Sequence, residues 1–385
     1  MYLVRYNSSS FFLIPLNSLQ LGIKCKCFYQ NDERPNHGAA LLIRSQIRIA
    51  TIHPGTSKQI EITLRIERFD ADHTPEYEAV SYAWGPPEAN MSRVILEHQE
   101  YNGASRKRPI IRRGWLGVRS NLLSALHQFR LESEPRDMWI DALCIDQQDD
   151  IHKGLQVAMM GEIFSRAARV NVWLGPATHD DRRAMEIIHS LGVQVEVDWD
   201  AWKITASSQA ENSDIVDKSL TLTGEDLNSL NRLFSQEWFD RLWIRQEILL
   251  AKQQEAVMCY GSASVRWNIF RRAWKLIDEN NTEGGSLATR MLRIEDFLHQ
   301  KQDADLHVLR DDFKFAKCGG PLDRIYAVRD LFPQQLKKLI YPDYTKSIEK
   351  AYQDAVLAYI KCYEVLDFLS GCHYSATWKG PSWGA

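Results

Sequence analysis

Two carboxylates stand where carboxylates are expensive. Asp141 lies inside the apolar run MWIDALCI (138–145), and Glu247 lies inside EWFDRLWIRQEILLAK (237–252). An unpaired carboxylate in an apolar interior costs several kcal/mol, so each must be paired, protonated or facing a cleft. Read as a helix, the second segment places Trp243, Ile244, Leu250 and Ala251 three and four positions from Glu247. None of these can pair with it. An apolar setting raises a carboxyl's pKa and suits it to acid–base or cation-stabilising work. The structural alternative is an ion pair, with Arg241 and Arg245 the nearest arginines in sequence. For Asp141 the alternative is acceptance of backbone hydrogen bonds or an arginine partner. Gln246 and Trp243 fit either the wall of a pocket around Glu247 or ordinary packing. Cys144 and His152 make a third, weaker pair, a thiol nucleophile with a base. A cysteine that ends a buried strand more often belongs to the core.

These side chains need a scaffold, and the hydrophobic pattern supplies one. YEAVSYAWG (77–85), MWIDALCI (138–145) and VNVWLGP (170–176) read as buried strands, two of them stopped by Gly-Pro. Between them Ser120 or Asn121 can cap a helix bearing Leu122, Leu123, Leu126 and Phe129. Val157, Met160, Phe164 and Ala168 mark a second helix. Strand, helix, strand, helix, strand predicts an α/β fold with a mostly parallel sheet of about five strands flanked by helices. Ligands of such sheets bind beyond the carboxyl ends of the strands, which makes DQQDD (146–150) a natural site wall. IRIATI and IEITLRIERF, around a PGTS turn, read as two further strands. Thr223, with Asp226 three positions on, predicts a capped helix, and 237–252 a single buried helix.

The predicted organisation is a poorly specified leader (1–45), an α/β domain (46–260; core 77–252, with an irregular insertion near 190–220) and a mainly helical C-terminal region (261–385). Residues 265–315 read as helical, and the abrupt end at GPSWGA reads as a truncated product.

Composition narrows the function classes. The 385 residues are 44% apolar and 25% charged, and 47 basic against 50 acidic side chains leave a formal charge of -3. That balance gives no global electrostatic reason for a nucleic-acid partner or an anionic membrane. No run approaches the roughly 20 apolar residues needed to span a bilayer. FFLIPL (11–16) lacks the basic flank and cleavage site of a secretory signal. Seven scattered cysteines (25, 27, 144, 259, 318, 362 and 372) read as reduced thiols, which places the expected location in the cytoplasm, and no zinc-site spacing occurs. Neither G-x-x-x-x-G-K-[ST] nor G-x-G-x-x-G is present, so no phosphate-cradling loop is expected. The tryptophans sit in apolar runs and read as core.

YEAVSYAWG, NLLSALHQFR, MWIDALCIDQQD, LQVAMMGEIFSRAARVNVWLGP and EWFDRLWIRQEILLAK, in this order and spacing, resemble the fungal heterokaryon incompatibility (HET) domain over about residues 46–260. LDRIYAVRDLF, YPDYTKSIEKAY and GPSW resemble the usual continuation. The resemblance implies a role in non-self recognition and programmed cell death. Through it the chain is also distantly similar to Toll/interleukin receptor (TIR) domains, which have a flavodoxin-like fold. YEAVSYAWG is similar to the first TIR strand and loop, MWIDALCIDQQD to the second, and FDRLWIRQEI to the helix on which a Trp precedes the catalytic Glu of NAD-cleaving members. Glu247 is the counterpart of that Glu. NAD is then the implied substrate, with no cofactor required. Trp84, Gly85, Asp146, Gln147 and Asp149 would hold the dinucleotide, Asp141 and Arg241 would orient that shell, and Trp243 and Gln246 would line the pocket. The chain departs from the family pattern at Asp146, where Asn is usual, and at His152, where Glu is usual. The other readings are a non-catalytic module that self-associates or binds an activating protein, and a degenerate copy.

Overall fold

The computed structural model describes residues 3–5, 11–13, 45–86, 91–100, 110–211, 214–216, 220–280 and 316–366. Most of the predicted leader, the helical expectation for 281–315, the GPSW segment, and Cys25, Cys27 and Cys372 lie outside these residues. Leu3–Arg5 pairs with Phe11–Leu13 in a separate two-stranded sheet.

One nine-stranded sheet organises the molecule. Its strands are β1 (Gln46–Ile52), β2 (Glu61–Arg68), β3 (Glu78–Tyr82), β4 (Ser92–Glu100), β5 (Ile110–Val118), β6 (Arg136–Trp139), β7 (Arg169–Gly175), β10 (Val257–Tyr260) and β11 (Ala263–Arg266). A hairpin of β8 (Val195–Asp198) and β9 (Lys203–Ala206) stands apart. Across the sheet the order is β11-β10-β7-β3-β6-β1-β2-β4-β5.

The expected sheet of about five mostly parallel strands is therefore corrected to a mixed one. β10/β7, β7/β3, β3/β6 and β2/β4 are parallel. β10/β11, β6/β1, β1/β2 and β4/β5 are antiparallel. Short connections return a strand beside its predecessor and so make β1/β2, β4/β5 and β10/β11 antiparallel, whereas β6/β1 joins strands far apart in sequence. The parallel core β10-β7-β3-β6 is the part that alternates with helices. β3 and β7 are buried at almost every position, as strands covered on both faces must be. Numbered by their sequence, these four strands lie in the order 2-1-3-4, so the winding reverses between β3 and β7.

The covering helices are α1 (Ser120–Phe129), α2 (Asp141–Cys144), α3 (Asp150–Val157), α4 (Met160–Arg166), α5 (His179–Gln194), α6 (Gly224–Phe234), α7 (Ile244–Leu249) and α8 (Trp267–Asn280). Three local expectations change. The strand expected over 138–145 ends at Trp139, and Asp141 opens the single turn α2. Neither Ser120 nor Asn121 caps α1. Arg119 occupies the cap without a side-chain bond, and Asn121 instead donates to the Ala83 carbonyl and accepts from the Trp173 indole. The helix expected over 237–252 splits into a 3-10 turn (Glu237–Asp240) and α7, with extended backbone at Arg241. The capping box at Thr223 and Asp226 forms with both of its reciprocal bonds. The segment expected as an irregular insertion contains the end of α5 and the β8/β9 hairpin.

The hydrophobic core runs continuously from Ile47 on β1 to Tyr359 on the helix Ile348–Tyr363. Asp330 fixes the C-terminal segment to the domain. Its buried carboxylate accepts from the Gly161 backbone at 2.8 Å, Arg329 Nη1 at 2.9 Å and Lys337 Nζ at 2.8 Å. A Cβ on Gly161 would sit 2.5 Å from that carboxylate, so only glycine lets α4 approach this closely. Asp330→Ala removes the acceptor of two buried donors, the Gly161 amide and Arg329, and of the partly exposed Lys337 ammonium. Its expected cost is about 3 kcal/mol, read as a lower urea midpoint with an unchanged slope.

Candidate functional site

The chain leaves β3 through Tyr82-Ala83-Trp84-Gly85, and Gly85 takes a left-handed turn at φ 73° that redirects the loop. The chain leaves β6 into α2, and the two exits lie side by side. Trp84 Nε1 donates to Asp141 Oδ2 at 2.8 Å, and the Ala142 amide donates to Oδ1 at 2.7 Å. The Tyr82 hydroxyl also acts on Asp141. Arg119 lies over the Trp84 ring at 5.5 Å and donates to the Gly85 carbonyl at 2.5 Å, which ties the loop to the start of α1.

Glu247 enters from α7, which packs against β3 and α4. It is 3% exposed. The Ser81 hydroxyl donates to Glu247 Oε2 at 2.5 Å, and Ser81 in turn accepts from Trp238 Nε1 at 2.8 Å. All three side chains are buried, so this chain of donors fixes the carboxyl in one orientation. Trp238 is held by edge contacts to Phe239 and Trp267. Arg241 completes the cluster from the break before α7. It donates to the Tyr82 carbonyl, and its charge acts on both Glu247 and Asp141.

Electrostatics separates this cluster from the rest of the sheet. Glu247 is raised to about 7, with burial the largest cause. Arg241 and the Ser81 bond pull it down, and the neighbouring charge of Asp141 also pushes it up. Burial likewise holds Asp141 above the ordinary carboxylate range, against the pull of Arg241, Trp84, Ala142 and Tyr82. Burial also acts on Asp137 and Glu78. There the bonds from Arg65 and Thr51, and from Arg136 and Asn171, outweigh it and hold both carboxyls low. Asp137 and Glu78 are structural ion pairs, whereas Glu247 and Asp141 are acids whose burial exceeds their compensation.

The structure brings together Trp84, Gly85, Asp141, Arg241 and Glu247. Gln147 is attached at the rim, donating to the Asp141 carbonyl at 3.3 Å. Asp146 and Asp149 spend an oxygen each on their own loop. Asp146 accepts from the Gln148 amide, and Asp149 caps α3 by accepting from the Ile151 and His152 amides. His152, whose ring is pushed down to about 4 by burial, accepts the Asp146 amide on Nδ1 at 3.3 Å, so the two positions that depart from the family pattern contact each other. Trp243 is half-buried against the core, and its carbonyl accepts the Glu247 amide. Gln246 is fully buried, and neither amide atom has a hydrogen-bond partner among the described residues. Cys144 is core. Its thiol accepts the Ile140 amide at 3.4 Å, and burial pushes it up to about 12, far from a nucleophile's range. Among the described residues no group of three or more His, Cys, Asp or Glu side chains could hold a metal ion.

Sequence reasoning missed Ser81, Tyr82, Trp238 and Arg119. Ser81 carried a signal, since a hydroxyl inside the apolar run YEAVSYAW needs a buried partner. The others are joined only by the fold.

Residues 77–247 match the family model described as Heterokaryon incompatibility protein (HET). Over 221 residues, 54% of this chain, the sequence is 29% identical to Heterokaryon incompatibility protein 6, OR allele, of Neurospora crassa. The match covers 32% of that protein, so this chain spans about a third of its relative's length. No solved structure matches. The two matches support the HET family for this segment, which begins at the residue before β3 and closes on Glu247.

Glu247 gives the fold a specific pH dependence. The folded state binds its proton near 7, against 4.5 in an unperturbed chain. Stability from this group is therefore full at low pH and is lost as pH rises through about 7. From about pH 5 to about pH 8 the expected loss is on the order of 2 kcal/mol. Glu247→Gln should flatten that part of the curve and be the more stable protein at the alkaline end. Urea midpoints across the range test this, and an unchanged slope in the variant would assign the titration elsewhere.

Proposed function

We propose that this is a heterokaryon incompatibility-type protein that acts in non-self recognition and programmed cell death signalling, and that its site cleaves NAD at the nicotinamide–ribose bond. The observation that carries the chemistry is the Glu247 carboxyl, held beside Arg241 over the carboxyl end of β3, where the strand order reverses. Doubly wound sheets bind dinucleotides at such reversals, and the 2-1-3-4 order of the parallel strands is that of flavodoxin-like sheets. This order supports the TIR-like reading of the domain. The rest of the reading is a cytoplasmic protein that works as a homo-oligomer under an activating protein partner, with NAD as substrate and no cofactor required.

In this reading the bond from ribose C1′ to the nicotinamide nitrogen breaks, and both electrons leave with nicotinamide. The ribosyl centre becomes oxocarbenium-like. The Glu247 carboxylate stabilises it and takes the proton of the attacking water, giving ADP-ribose. Ser81 and Trp238 hold that carboxylate in place. Asp141 and Arg241, tied to the loop of Trp84 and Gly85, orient the dinucleotide, with Gln147 at the rim. Trp84, Asp141 and Arg241 are partly exposed and Glu247 is not, so substrate meets the mouth first and the carboxyl last.

A second reading has one observation in its favour. Complete burial of Glu247 suits a structural partner of Arg241 in a non-catalytic signalling module that works by assembly. The readings part on one assay, NAD consumption by wild type and Glu247→Gln over a protein concentration series. The enzyme reading expects turnover in wild type that rises with pH through about 7, as Glu247 ionises, and falls by at least roughly a hundredfold in the variant. Absence of turnover from folded wild-type protein at every concentration would select the signalling module.

A further inference from the structure

The break that delivers Arg241 is held by a residue far along the chain. Apolar patterning over 237–252 favours one continuous helix, yet the backbone at Arg241 is extended. Lys317 makes the difference through a parallel bridge to Arg241. Its amide donates to the Asp240 carbonyl at 2.6 Å, and its carbonyl accepts the Leu242 amide at 2.8 Å. Those two groups flank Arg241 and would otherwise serve a continuous helix. The Lys317 ammonium also contacts Asp240 at 3.1 Å, but that side chain is 66% exposed, and such contacts contribute little. The backbone bridge is therefore what opens the helix, and the opened helix turns Arg241 onto the Tyr82 carbonyl beside Glu247 and Asp141.

We propose that Lys317 is a positioning residue for the carboxylate site: through its backbone it holds Arg241 between Glu247 and Asp141, so that a site built within residues 77–247 is completed by the C-terminal segment. Lys317 lies outside the span matched by the family model. The inference concerns the geometry of the cluster and stands whether or not the chain cleaves NAD. The charged and titratable groups acting on Glu247 are Arg241 and Asp141, with Ser81 as its hydrogen-bond donor. Arg241 is the only cation among them, so its withdrawal has a signature that general loosening does not share.

The test compares Lys317→Pro, which removes the amide donor, with Lys317→Ala, which keeps the backbone and removes only the exposed ammonium. Infrared titration of the full-length protein reads the Glu247 carboxyl directly, its band assigned by subtraction of Glu247→Gln. Lys317→Pro should raise the Glu247 titration by about one unit or more, as expected when a neighbouring cation is lost. Lys317→Ala should leave it in place. If the proline variant does not fold, replacing Lys317 with its α-hydroxy analogue removes the same donor as an ester, without the ring. A folded proline or ester variant that titrates like wild type would overturn the proposal. So would an alanine variant that shifts as far, because the ammonium and not the backbone would then be responsible. NAD turnover measured alongside keeps the two ideas apart. No turnover in wild type counts against the enzyme reading and leaves the titration result standing.

Discussion

The site depends on one half-buried guanidinium. Arg241 acts on two carboxyls that reach it from different elements, Glu247 from α7 and Asp141 from the start of α2. Without a cation between them, two acids this close in an apolar interior would repel each other and remain protonated. With one cation for two acids, compensation is partial, and both stay above the ordinary range. Burial is the larger influence on both acids, and Arg241 is the largest one opposing it. Its side chain bonds the Tyr82 carbonyl, and Lys317 bonds the backbone on either side of it.

The sheet explains why such a cluster can exist where it does. β3 is the central parallel strand, buried on both faces, and the next two strands of the parallel core, β6 and β7, fall on opposite sides of it. The loops after β3 and β6, parallel neighbours, therefore leave the sheet together, while α7 packs against β3. Further strands at both edges widen the sheet, and β1 packs against α2 beside β6. The strands β1, β2, β4 and β5 extend it beyond β6, and β11 closes the other side. These additions stabilise the platform, and the geometry of the site belongs to the parallel core.

What the sequence made legible follows the range of each interaction. Glu247 and Asp141 stand out because a charge in an apolar run is a local signal, visible without a fold. The buried strands β3 and β7 and the Thr223 cap are local in the same sense. The mixed character of the sheet was not legible, because whether β1 pairs with β6 or lies elsewhere depends on contacts across about ninety residues. Ser81 met the same obstacle: its place in an apolar run is visible, but its partners Trp238 and Glu247 are more than 150 positions away. The split of 237–252 is the clearest case. Local pattern favours one helix, and a bridge from Lys317 overrides it, so the feature that makes the site is the one that periodicity argues against.

The contrast within the sheet bears on what the cluster is for. Asp137 and Glu78 show how this fold treats a carboxylate that it uses as a brace. Each meets an arginine with short bonds, Asp137 with Arg65 Nη1 at 2.7 Å and Glu78 with Arg136 Nη2 at 2.7 Å, and each is held low. Glu247 receives a hydroxyl donor and shares its arginine with a second acid. A buried ion pair is seldom more stable than apolar packing of the same shape, and an incompletely compensated acid is less stable still. Near neutrality such a group exchanges a proton at little cost, which is the property an acid–base residue needs and a brace does not. The arrangement around Glu247 gives up stability and gains titration at working pH, and that exchange is the physical ground for reading the cluster as a site.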